Sequence, residues 1–365
     1  MKKIKLKEVC AVNPKDNIEE LDMTVSFVPM QKVSETGDID VSEERIAKEV
    51  IKGFTSFIDG DVLMAKITPC MENGKGAIAK GLRNNRGFGS TEFLVIRPDA
   101  NKVCSDWIYY YTVGKKFRKD CERNMTGSAG QKRVPKTYIE NCLIPVPSME
   151  EQRNLVDSLN KAKTIIKLRK HELQKLDDLI KARFGEMFGD RWKNDKGWEQ
   201  TTLNECATFY NGKAHEQVVD EDGEYILVTS RYIASDMSDY RRTSAMLFPL
   251  QVGDICMVMS DVPNGKALAK CVRIEEDGIY TLNQRICCFR DYKLNQVFFY
   301  YLLNRHEYLL SFDNGDSQTN LRKNDLLACP VICPPMELQE QFKDFVSQVN
   351  KSKASVQKAL DETQL

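Results

Sequence analysis

Two loops carry the side chains of this sequence best suited to chemistry. They are Gly127-Ser128-Ala129-Gly130-Gln131-Lys132-Arg133 and Gly315-Asp316-Ser317-Gln318-Thr319-Asn320-Leu321-Arg322, and each sets amide and guanidinium groups behind a glycine start. Amides can pair two-pronged with adenine and guanidinium with guanine in the major groove, so Gln131, Arg133, Gln318, Asn320 and Arg322 are candidate base readers. Ammonium groups act as point charges that suit phosphate. Lys75 and Lys266, each just after an Asn-Gly pair, are therefore candidate phosphate contacts, and Lys66, Lys132 and Arg285 complete the basic set. The formal net charge is +0, so any nucleic-acid surface must be a local patch. Basic residues are densest from Lys102 to Lys136.

Other chemistries lack their residues. The sequence has no phosphate-cradling GxxxxGK[ST], no complete dinucleotide GxGxxG and no GxSxG elbow. Gly87-Phe88-Gly89 lacks the third glycine of the dinucleotide pattern and reads as a flexible loop. Pro98-Asp99 has no acid-x-lysine element after it to hold magnesium and polarise water. Twelve cysteines without a CxxC pair, beside three histidines (His171, His215, His306), point to free buried thiols and no metal site. Met1-Lys2-Lys3-Ile4 lacks the apolar core of a signal peptide and no apolar run approaches a bilayer span, so a cytoplasmic protein is expected.

Several elements must position the two loops. Asp59-Gly60 supplies a turn before a buried strand over Val62 to Ala65, and Thr91 to Ile96 reads as another strand stopped by Pro98. Between them Asn73-Gly74 favours a tight hairpin with a basic tip. Trp107 to Lys119 is apolar on one side and basic on the other, which predicts one amphipathic helix. After the exit Ile144-Pro145-Val146-Pro147, Ser148 and Glu151 form a capping box that opens a long helix. Its seam steps by four and three through Leu155, Leu159, Ala162, Ile166, Arg169, Leu173, Leu176, Ile180, Arg183 and Met187. At about 1.5 Å per residue such a helix reaches roughly 60 Å.

The chain also repeats itself with a period of about 190 residues. Thr202 to Cys206 answers the opening block, Gly253-Asp254 answers Gly60-Asp61, Pro263 to Ala267 answers Glu72 to Gly76, and Phe298 to Tyr301 answers the tyrosine run. Cys333-Pro334-Pro335 answers the proline exit, and a second seam follows through Leu338, Phe342, Phe345, Val349, Ser352, Val356, Ala359 and Thr363. Two seamed helices bury their stripes most simply against each other as an antiparallel pair; the bland alternative is that each packs on its own domain.

These residues resemble the specificity subunit of type I restriction-modification systems over nearly the whole chain. The most specific parts are the loop-to-helix passages Gly127 to Gln152 and Gly315 to Gln341, with Arg183-Phe184-Gly185-Glu186-Met187-Phe188-Gly189 closing the first helix. The resemblance implies an α+β chain in which two similar mixed α/β target recognition domains are separated by long antiparallel coiled-coil helices, as a pseudo-two-fold internal repeat. The divisions would be 1–148 and 191–335 for the domains, and 149–190 and 336–365 for the spacer helices. It further implies a subunit without catalysis that reads a bipartite double-stranded DNA site. Two methyltransferase subunits would dock on the spacer, with restriction/translocase subunits joining them, and S-adenosylmethionine, ATP and magnesium would belong to those partners. The spacer and partner-binding residues would be Leu155, Leu159, Ile166, Leu173, Leu176, Ile180 and Met187 with Phe342, Phe345, Val349 and Val356. Family members usually have a second helix about as long as the first; here it is shorter by roughly a third, which puts full pairing and the second methyltransferase docking in doubt. The rival reading is a coiled-coil scaffold with two protein-binding modules and no nucleic acid.

Overall fold

Each repeat starts by pairing its opening residues with its own exit. In the computed structural model, which describes residues 3–128, 130–263 and 265–364, strand Lys3–Lys5 lies antiparallel to Leu143–Pro145, and Gln200–Thr202 lies antiparallel to Pro330–Ile332. The chain divides into two compact units, Met1–Thr164 and Ile165–Leu365.

The first unit holds two four-stranded sheets. One runs Cys10–Val12, Phe93–Pro98, Val62–Ala65, Gly76–Ile78, all antiparallel. The other runs Glu44–Ile46, Thr24–Val28, Gly87–Gly89, Thr55–Phe57, with a parallel pair at its centre. The second unit repeats the plan: an antiparallel sheet in the order Thr208–Asn211, Ile286–Arg290, Ile255–Val258, Cys271–Arg273, and a three-stranded sheet of Arg241–Thr243, Tyr225–Val228 and Tyr280–Leu282, again with one parallel pair.

The apolar run Val62 to Ala65 follows from burial on both faces. Val62 and Met64 pack with Leu94, Ile96, Ile108 and Phe117, whereas Leu63 packs with Phe93, Val95, Val28 and Phe57. In the second unit Ile255 and Met257 face Phe298 and Phe299, and Cys256 and Val258 face Val228 and Leu282. The cysteines serve as small apolar side chains here; all twelve are free, and Cys256 and Cys288 lie opposite each other in the ladder.

The Gly-Asp pairs recognised in the repeat have a shared physical role. Asp61 is fully buried, caps the Ile58 N–H at 2.9 Å, and receives Arg97 through Nε and Nη2, both at 2.7 Å. Asp254 caps the Gln251 N–H at 2.8 Å and receives Arg290 at 2.7 and 2.6 Å. A buried carboxylate needs such a partner, because removing one member of the pair leaves an uncompensated charge.

Three expectations are corrected. Gly87–Gly89 is no flexible loop but a buried central strand; a Cβ on Gly87 would meet the Phe57 ring at 2.3 Å and one on Gly89 the Val28 carbonyl at 2.2 Å. Asn73-Gly74 does not make a two-residue hairpin. Residues 67–75 wind through a helical turn (Met71 N–H to Ile67 O, 3.0 Å; Lys75 N–H to Cys70 O, 2.9 Å), with Gly74 at φ 77°, before the strand resumes at Gly76. The equivalent Asn264 lies outside the described residues. The single amphipathic helix is two, Ser105–Val113 and Lys115–Arg123, separated by Gly114 in an extended conformation, where Arg118 Nε donates to the Val113 carbonyl at 2.9 Å.

The long helix spans Met149–Phe188, 40 residues, and opens with the expected box: Ser148 N–H and Oγ donate to Glu151 Oε2 at 2.9 and 2.8 Å. Its two halves pack differently. Up to Thr164 it lies on the first unit through Gln152 and Val156, both buried, Asn160, which accepts the Tyr110 hydroxyl at 2.6 Å, and Lys163 over the Tyr109 ring. Leu155 and Leu159 are each 41% exposed, so the seam does not run through them. Here the helix turns the neighbouring 152/156/160 face inward, to its own domain.

From Leu176 onward the helix pairs with the second long helix, Met336–Gln364. Phe184 meets Phe342 at 5.4 Å and Asp177 accepts Lys353 Nζ at 2.5 Å; the reversed order of these contacts makes the pair antiparallel. Leu176, Ile180, Met187, Phe342, Phe345 and Val349 all belong to one core, joined by Phe184 and Phe188, and Val356 is buried farther along. Ile166 and Leu173 are half-buried. Among the described residues no helix is long and apolar enough to cross a membrane.

Candidate nucleic-acid interface

In the first unit, the chain leaving strand Val62–Ala65 is held edge-on by the loop that sequence singled out. Val134 N–H donates to Lys66 O at 2.9 Å and Thr68 N–H to Lys132 O at 3.0 Å, while Thr126 and Arg133 exchange backbone bonds of 2.9 and 2.8 Å that close the loop. Gly127 takes φ 124°, where a Cβ would lie 2.9 Å from the Gln131 carbonyl. The closure leaves Gln131 and Lys132 exposed, while Lys66 is half-buried beside them. Ala129 lies outside the described residues.

Two candidates in this unit have partners within it. Arg133 is not a free reader: its Nε and Nη2 grip the Glu92 carboxylate, the closest contact to each oxygen being 2.9 and 2.8 Å, and Nη1 donates to the Gln131 carbonyl at 3.0 Å. Lys75 does not stand at a turn tip. It is half-buried at the end of the helical turn, with Nζ 3.5 Å from the Met30 carbonyl. Glu92 escaped the sequence reading because an acid beside a strand start carries no motif. The hydrogen bond from Arg133, with the charges of Arg133 and Lys66, holds its carboxyl below the usual range against the opposing effect of burial.

The second unit builds the same edge. Ser260–Asp261 pairs with Thr319–Asn320, and Leu321 N–H donates to Met259 O at 2.8 Å. Asp261 organises the loop that follows by accepting the Val262, Ala267 and Leu268 N–H groups at 2.8, 2.6 and 3.1 Å, and this loop carries the exposed Lys266. Asp313 accepts the Thr319 hydroxyl at 3.0 Å, which turns Thr319 inward and leaves Gln318 and Asn320 outside. Gln318, Asn320 and Arg322 are exposed, and among the described residues their side chains have no hydrogen-bond or ionic partner. The structure thus gathers Lys66, Gln131, Lys132 and Arg133 at one edge, and Lys266, Gln318, Asn320 and Arg322 at its counterpart. Arg285 sits at the turn before strand Ile286–Arg290 and lines a cleft of about 370 Å³ with Arg231 and Arg241. Those two arginines were missed, although the Arg241-Arg242 pair on an edge strand was a visible signal.

The model of the type I restriction modification DNA specificity domain matches residues 1–178 and 195–363. The chain belongs to this family. The specificity subunits of the type I restriction enzymes EcoEI and EcoAI, both from Escherichia coli, are 41% and 40% identical to it over 160 and 152 residues. Those stretches are 43% and 41% of this chain but only 27% and 26% of the relatives, so the chain matches about a quarter of their length. The MjaVIII specificity subunit of Methanocaldococcus jannaschii is 21% identical over 295 residues, 71% of this chain and 68% of that protein. Two solved structures share the fold. One, described as the structural basis of complex assembly and conformational transition of the type I restriction-modification system, aligns over 99% of this chain and 93% of its own with a TM-score of 0.59 at 19% identity. The other, a type I S subunit from M. genitalium, covers 100% and 92% with a TM-score of 0.53 at 14% identity. The two matched segments are α+β repeats, and the Met149–Phe188 helix runs from within the first of them, which ends at residue 178, into the stretch that joins it to the second.

A buried glutamine near the start of each long helix ties it to its unit: Gln152 of the Glu151-Gln152 pair in the first, and in the second Gln339, which follows Leu338, in place of the Glu340-Gln341 pair that the sequence singled out. Gln152 is buried, accepts the Cys104 N–H at 3.0 Å and donates to the Lys102 and Pro147 carbonyls at 3.1 and 3.0 Å. Gln339 accepts the Asn295 N–H at 2.8 Å and donates to Pro334 O at 2.7 Å. Each glutamine locks a long helix to the start of a helix in the globular body behind it.

Proposed function

We propose that the chain is the DNA-reading subunit of a cytoplasmic type I restriction-modification complex, each unit reading one half of a bipartite site. The observation that carries this reading is the twice-built edge, where a backbone-paired strand end presents exposed amide and guanidinium groups on a chain of the specificity-domain family. Polar groups displayed from a rigid edge suit base readout, and the lysines beside them suit phosphate. In this reading the chain performs no catalysis; partner methyltransferase and restriction subunits bring S-adenosylmethionine, ATP and magnesium, and two methyltransferases use the helix pair as their docking surface.

The test is co-expression with the methyltransferase subunit followed by mapping of methylated bases across the host genome. A bipartite motif with a fixed gap, lost when the chain is omitted, is the expected result. Methylation without sequence preference, or none with an active methyltransferase, would favour a protein scaffold.

A further inference from the structure

The two edges carry different chemistry at equivalent positions. Ala65 lies opposite Phe93 as Val258 lies opposite Ile286, so Glu92 and Arg285 occupy the same place in the repeat. Val134 donates to Lys66 as Leu321 donates to Met259, so Arg133 corresponds to Asn320. An acid and an arginine in one unit thus stand where an arginine and an amide stand in the other.

The Glu92 grip is one-sided. Of the five N–H groups on a guanidinium, Arg133 commits Nε–H and one on Nη2 to Glu92, and one on Nη1 to the Gln131 carbonyl. One N–H on each terminal nitrogen remains, and the Arg133 side chain is 41% exposed against 25% for Glu92. A carboxylate along one edge fixes the plane of the fork and removes rotamer freedom before any ligand arrives. Two N–H groups on adjacent nitrogens match the O6 and N7 acceptors of guanine.

We propose that Glu92 is a positioning residue which holds Arg133 for a guanine in one half-site, and that the other half-site, lacking an acid at this place, is read by a different code. The inference rests on the DNA-reading function proposed above. An ion pair that only tied the Glu92 strand to the 126–134 loop would touch stability and leave base preference alone.

The experiment selects bound duplexes from a library randomised in both half-sites, using the full chain with its methyltransferase subunit. Glu92→Gln keeps the side chain's size and removes its charge, and Arg133→Lys keeps the charge and removes the fork. Both variants should lose preference for one guanine at one position of one half-site by about 10- to 100-fold, with the other half-site unchanged. Glu92→Asp should restore part of that preference. A Glu92→Gln protein that selects the wild-type motif, whatever its melting temperature, overturns the positioning role while leaving DNA reading intact. A wild-type complex that selects no motif overturns DNA reading and this inference with it.

Discussion

His306 has to stay neutral while the second unit is folded. Its Nδ1 accepts the Tyr308 N–H at 3.2 Å as a helix cap, and its Nε2 is buried without a partner. Burial first, and the nearby Arg191 charge second, bring its pKa down from 6.5 to about 4, with Glu307 and Asp190 opposing in part. Because the folded value is the lower one, the unfolded chain takes up the proton first as pH falls. The contribution is complete above pH 6.5 and drains away toward pH 4. Between pH 7 and pH 5 the loss should be about 2 kcal/mol, read by urea unfolding. A His306→Gln chain, which cannot titrate there, should lose less over the same interval; equal losses would assign the pH dependence to other groups. The lysines divide by a different measure. Lys132→Ala and Lys266→Ala should weaken DNA binding evenly across sequences and lower the salt slope by about one each. Lys75→Ala should change that slope less, because its ammonium turns toward the Met30 carbonyl. An equal change for all three in a salt titration would mean that Lys75 reaches phosphate after all.

At the scale of elements, the Val62–Ala65 strand and the cap of the long helix were legible, whereas the Gly87–Gly89 strand and the faces of the long helix were not. Val62–Ala65 announced itself because both sheet faces are buried, and Ser148 with Glu151 because a capping box is local chemistry. The seam through Leu155 and Leu159 failed because spacing gives a stripe but not what covers it; the first unit takes the adjoining Gln152 and Val156 face instead. Phe184 and Phe188, one residue past the seam positions Arg183 and Met187, are deeper for the same reason, since the core of the second unit claims them. At the candidate site, residue type picked out Gln131, Gln318, Asn320 and Arg322, which the structure leaves exposed, but the carboxylate that occupies Arg133 comes from 41 residues away in sequence. The buried glutamines give the element-scale prediction. Gln339→Ala strands the Asn295 N–H and the Pro334 carbonyl and should destabilise the second unit by about 1–3 kcal/mol. Gln152→Ala should do the same for the first unit. Hydrogen exchange should rise first at the opening turns of the long helix concerned; a rise elsewhere in the unit, with those turns still protected, would remove the latch.

For the whole molecule, the decisive property is that one unbroken helix contributes to both units: 149–164 belong to the first and 165–188 to the second. Its packing contacts to the first body end near Lys163, and those to the second long helix include Asp177, Ile180 and Phe184. An insertion near Lys170 lies beyond the contacts to the first body and, by the register of the Asp177–Lys353 contact, beside the part of the helix pair where Val356 and Leu360 are buried. Four residues add about one turn, roughly 6 Å, with a small excess rotation that a coiled coil absorbs as a stutter. If this helix is the ruler of a bipartite site, the gap between half-sites should lengthen by one or two base pairs, since duplex DNA rises about 3.4 Å per pair, while both half-site sequences stay the same. Two inserted residues instead turn everything beyond them by roughly half a revolution and should lower stability or abolish methylation. Mapping methylated sites for both variants with the methyltransferase subunit present separates the possibilities. A gap that stays fixed after the four-residue insertion would mean that spacing is set by the partner subunits and not by this helix.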